Sequence, residues 1–119
     1  MKLLAAFFLL TMALFAAGDA SGKWSGSYTG NDGSGGTAYL ILKQSGGELT
    51  GTGGPDVERQ WPIAKGKVEG AKVSGEVQHP DGAVYKFKLT LEGDSLKGEV
   101  ELPHDGQTDI GKLDLTRVK

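Results

Sequence analysis

There is no cysteine among the 119 residues. That removes disulfides, a thiol nucleophile and a lipid-modified terminus, and it leaves stability to apolar burial and a closed backbone hydrogen-bond network. Histidine occurs twice, at His79 and His104, so imidazole chemistry is confined to their surroundings. No stretch beyond the first residues carries the apolar period of a helix, and 20 glycines recur too often for a long one. Excess charge is missing too. Thirteen basic against 15 acidic residues give a net of −2, which argues against nucleic acid held by phosphate contacts.

What the chain has instead is a repeat. Trp24-Ser25-Gly26, Leu49-Thr50-Gly51, Val73-Ser74-Gly75 and Leu96-Lys97-Gly98 share one apolar-x-Gly pattern, with lead residues 25, 24 and 23 positions apart. Turn glycines stand three residues before the last three copies, at Gly46, Gly70 and Gly93. Four similar hairpins in an antiparallel meander follow from this. Between turns the period is two: Tyr85, Phe87, Leu89 and Leu91 alternate with Lys86, Lys88 and Thr90, giving one buried and one wet face. Eight strands are expected near 23–29, 37–44, 48–53, 60–68, 72–78, 83–91, 95–102 and 108–118. The fold class is all-β, an eight-stranded antiparallel up-and-down barrel.

In the fourth strand Trp61 and Ile63 share a parity that Gly66 and Val68 break, so a bulge is expected at Ala64-Lys65. The repeat glycines fall on the inward parity. There they let strands coil sharply to close a small barrel, and their missing side chains also leave room for a ligand.

The first residues read as an address. Met1-Lys2 give a positive start, Leu3 to Phe15 an apolar run broken by Thr11, and Ala16, Ala17, Gly18 and Ala20 the small residues of a cleavage site. A signal peptide over 1–20 is expected, cut after Gly18 or Ala20, with a single domain over 21–119. The run is shorter than the roughly 20 apolar residues of a permanent span. A secreted or periplasmic protein with no membrane span in the mature chain is the expectation.

Gly22-Lys23-Trp24 resembles the glycine-x-tryptophan that opens the first strand of calycins, the superfamily of lipocalins, fatty-acid-binding proteins and avidins. The resemblance implies that a basic residue of the last strand, here Arg117, packs across Trp24 to plug the closed end. The mature chain is also similar to small exported bacterial eight-stranded barrels. Glu48-Leu49-Thr50-Gly51-Thr52 resembles an avidin strand region, but avidins hold biotin with several tryptophans and this chain has only Trp24 and Trp61. Biotin binding is not expected, nor is any other cofactor.

The turns at Gly46-Gly47, Gly70 and Gly93-Asp94 are short and belong to the plugged end. The longer connections Gly30 to Gly36, Gly54 to Arg59, Gln78 to Gly82 and Pro103 to Gln107 form the mouth. At the mouth, His79-Pro80-Asp81 and His104-Asp105 are candidates for a metal or acid–base pair, though Pro-Asp-Gly and His-Asp-Gly are ordinary turn sequences. Gly30 to Gly36 is glycine-rich, but no helix follows it to hold a phosphate.

Three functions fit. The first is a barrel binding a small apolar or aromatic molecule, with Tyr28, Arg59, Trp61, Tyr85 and Phe87 at the upper interior. The second is a module contacting an exported protein through its mouth loops, such as a hydrolase inhibitor, with no internal cavity. The third, an enzyme, ranks last for want of a nucleophile with a base beside it. A cavity above about 300 Å³ at the mouth is the feature that separates the first from the second.

Overall fold

A computed structural model describes residues 19–30, 33–104 and 106–118, leaving out the side chain of His104. The signal-peptide expectation over residues 1–18, and the candidate Asp105, lie outside the described residues. The elements are β1 (Gly22–Thr29), β2 (Gly35–Ser45), β3 (Glu48–Gly54), β4 (Trp61–Glu69), β5 (Lys72–Gln78), β6 (Val84–Glu92), β7 (Ser95–His104) and β8 (Gln107–Arg117). Every neighbouring pair is antiparallel, and β8 closes onto β1 with Trp24 opposite Arg117 and Tyr28 opposite Leu113. Closure leaves no free sheet edge around the barrel wall.

The period-two pattern becomes the core. Leu40 and Leu42 of β2, Phe87, Leu89 and Leu91 of β6, Leu96 and Val100 of β7, and Leu113 and Leu115 of β8 are all buried. The residues between them are charged or polar, and on the outer face the register opposes Lys88 to Glu99, Glu99 to Lys112 and Lys97 to Asp114. No polar side chain is buried among the described residues.

Three two-residue turns close one end. In Gly46-Gly47, Gly70-Ala71 and Gly93-Asp94 the first residue has φ of 63, 61 and 61° and the second is not positive, as in a type II′ turn that matches strand twist. The second residue of each turn also offers its carbonyl to a strand beyond: Gly47 O accepts from Val68 N, Ala71 O from Leu91 N, and Asp94 O from Arg117 N. The hairpin repeat is thus stitched into a continuous floor.

Inside that floor lies Trp24, fully buried, its Nε1 donating to Ala20 O at 3.0 Å. Arg117 Cζ stands 4.3 Å from the indole centroid, a cation–π contact. The same guanidinium donates to Asp94 Oδ1 at 2.9 Å, to Ser21 O, and to Asp19 O at 3.3 Å. Ala20 is fully buried and its amide donates to Gln44 Oε1 at 2.8 Å. The segment before β1 is therefore packed into the barrel's floor.

The bulge is where the spacing puts it. The β4–β5 register shifts between Ala64 and Lys67, and Lys65 takes φ of 55°, the left-handed region that costs a side-chain-bearing residue strain.

Two expectations are corrected. The connection after Pro103 is not a long loop: β7 runs to His104, which pairs with Gln107, so only a two-residue turn separates the strands. The described β6 pairing with β7 ends at Glu101, so Pro103, which has no N–H, forfeits no ladder bond on that side. The repeat glycines, in turn, leave no ligand space. A β-carbon at Gly26 would overlap Asp114 O, at Gly51 Ile41 O, and at Gly98 Lys88 O. At Gly75 it would lie 2.9 Å from Phe87 Cζ. Neighbouring backbone or a core ring already occupies each place, so only their role in coiling stands.

Candidate functional site

At the pole opposite Trp24 the barrel opens into a cavity of about 360 Å³. Its deeper wall is aliphatic and aromatic, from Leu40, Val77, Phe87, Val100 and Leu113. Room exists there in part because the inward row of β2 that holds Leu40 and Leu42 ends in the small Ala38; Gly54 at the end of β3 also lines the space, though a β-carbon there would overlap Arg59 O. Tyr28, Arg59, Trp61, Tyr85 and Phe87, separated by up to 59 positions in sequence, all line this one space.

Phe87 is buried, whereas Tyr28, Trp61 and Tyr85 are half-buried nearer the rim. Tyr28 lies across from Gly36, where a β-carbon would stand 3.0 Å from its ring. The aromatic thus covers a strand that lacks a side chain. Burial raises the Tyr85 pKa, and the Asp81 carboxylate and Tyr28 add to the effect.

His79 joins them. Its ring centroid is 4.4 Å from that of Trp61, tilted by 52°, and 6.2 Å from that of Tyr85 in an edge arrangement. Backbone bonds from His79 N to Ala83 O (2.9 Å) and from Gly82 N to His79 O (3.0 Å) close the 79–83 connection. Within it, His79 Nδ1 meets Asp81 Oδ1 at 2.9 Å, and Ala83 N donates to that same oxygen at 2.8 Å. The Ala83 bond is the main reason that the Asp81 pKa is lowered, with His79 adding to it. His79 and Asp81 are brought together, but no group of three metal-ligating side chains occurs among the described residues.

The 55–60 connection is equally well tied. Asp56 Oδ1 accepts from Glu58 N (3.1 Å) and Arg59 N (2.9 Å), an Asx-type turn, while Oδ2 accepts from Arg59 Nε (3.1 Å) and Nη2 (2.8 Å). The Arg59 guanidinium beside it holds the Asp56 carboxyl below its usual range. Gln60 Nε2 donates to Tyr39 O (3.0 Å) and Asp56 O (2.8 Å), and Thr37 Oγ1 donates to Pro55 O (2.7 Å). Asp56 and Gln60 fix Arg59 and the loop, roles that the sequence does not assign to them. The Pro-Asp-x-x-Arg spacing was the available signal for Asp56. No protein-family model matches this chain, and no curated protein matches it.

Proposed function

We propose that this is an exported, non-catalytic binding barrel of calycin type, whose mouth takes up a small apolar or aromatic molecule. The observation that carries the reading is the cavity of about 360 Å³, within the range of small-molecule sites, walled mainly by apolar and aromatic side chains. Two of the mouth loops, 55–60 and 79–83, are held by internal hydrogen bonds, so ordering them opposes binding little.

The two tryptophans give a direct test. Trp24 is in the floor and Trp61 lines the cavity. Titration with the neutral dye N-phenyl-1-naphthylamine is expected to brighten the dye and quench part of the tryptophan emission. In Trp61→Phe the residual emission, from Trp24, is expected to respond much less. Dye that stays dark at all protein concentrations would refute the reading and move weight to recognition of an exported protein. For that alternative, Val57, 57% exposed beside Arg59 on the 55–60 loop, is the supporting feature.

A further inference from the structure

Resting on the binding reading above, we propose that the ligand carries a neutral hydroxyl on its apolar body and that His79 is the residue that anchors it. Two groups compete for Nδ1: the Asp81 amide, which can donate to it at 3.3 Å, and the Asp81 carboxylate at 2.9 Å, the shorter and charge-assisted contact, which favours the proton on Nδ1. In the neutral ring this leaves Nε2 as an acceptor, on a residue that lines the cavity and lies tilted against the Trp61 ring. Among the described residues Nε2 has no hydrogen-bond partner, and neither do the Tyr28 and Tyr85 hydroxyls in the same wall. Thr37, by contrast, is committed to Pro55 O.

The charges choose between head groups. Among the described residues Arg59 is the sole cationic one lining the cavity, and its guanidinium is engaged by Asp56. Asp81 sets a carboxylate behind His79, which repels an anionic head group. A hydroxyl suits what remains, because it can donate to Nε2 while accepting from a tyrosine O–H. The arrangement selects an aromatic alcohol over both the matching hydrocarbon and the matching acid.

The test compares 1-naphthol, 1-methylnaphthalene and 1-naphthoate by calorimetry at about pH 8, where the naphthoate carboxyl is ionised. With one hydrogen bond contributing about 1 kcal/mol, 1-naphthol is expected to bind about five- to tenfold more tightly than 1-methylnaphthalene. Naphthoate is expected to bind more weakly than either. In His79→Phe both neutral compounds still bind and the naphthol preference disappears. In Asp81→Asn the preference shrinks, and the ring nitrogen shifts in NMR report loss of the Nδ1–H tautomer, a readout that mere loosening of the loop would not move. Equal binding of the two neutral compounds to the unaltered protein, or a preference that survives His79→Phe, overturns the anchor and leaves the binding reading intact. If none of the three binds, both fall.

Discussion

Gly26 and Gly46 are the same residue type held for different reasons, and single substitutions separate them. Gly46 has φ of 63° with open space where a β-carbon would go, so Gly46→Ala is expected to cost only the left-handed strain, about 1–2 kcal/mol. At Gly26 the β-carbon would collide with the Asp114 carbonyl of β8, so Gly26→Ala requires the β1–β8 seam to part and is expected to cost about 3 kcal/mol or more. Urea midpoints of the two variants give the comparison; equal losses would mean that close strand approach at Gly26 is not limiting. Sequence parity placed Gly26 correctly on the inward face. It could not show that the adjoining strand fills the place of the missing side chain, because that depends on how steeply two strands cross whose paired residues, Gly26 and Leu115, are 89 positions apart.

Among the elements, the 55–60 connection makes a pH-dependent prediction. The Asp56 pKa is depressed in the fold, first by its side-chain hydrogen bond with Arg59, then by the Arg59 amide. Its contribution is therefore fully present above the unfolded aspartate value of about 3.9 and is lost as pH falls through the lower folded value. Hydrogen-exchange protection of the Glu58 and Arg59 amides is expected to hold steady from about pH 7 to 5 and to decline below about pH 4. Asp56→Ala should remove it throughout, and unchanged protection in that variant would show that the turn does not depend on the carboxylate. The eight strands and the Lys65 bulge were legible because burial of one face imposes a period of two, and a broken period must be repaired by an extra residue. The β7–β8 turn was not, since proline ends a strand only where a ladder needs its N–H, and nothing local reveals that β7 outruns its pairing with β6. Likewise the mouth aromatics were legible from parity and loop length. The pairing of His79 with Trp61 was not, because it spans two separate connections.

On the scale of the whole molecule, the Asp19–Ser21 segment belongs to the folded unit. Removing Asp19 and Ala20 strips Trp24 Nε1 of its acceptor and leaves a gap where a fully buried residue stood. A chain starting at Ser21 is expected to be about 2–3 kcal/mol less stable than one starting at Asp19. Its affinity for N-phenyl-1-naphthylamine should be unchanged, because the cavity lies at the other pole. Denaturant unfolding paired with dye titration checks both halves; equal stability would show that the segment is dispensable. Of the two cuts expected from the sequence, only the one after Gly18 keeps these contacts. The even number of strands has a consequence for how the barrel can be held. A meander of eight returns to the pole from which it set out, and Arg117 Nη2 reaches Asp19 O at 3.3 Å. Tethering the domain by either end, to a surface or to a larger protein, points the cavity away from the attachment. It can be displayed in arrays with every opening facing the solution.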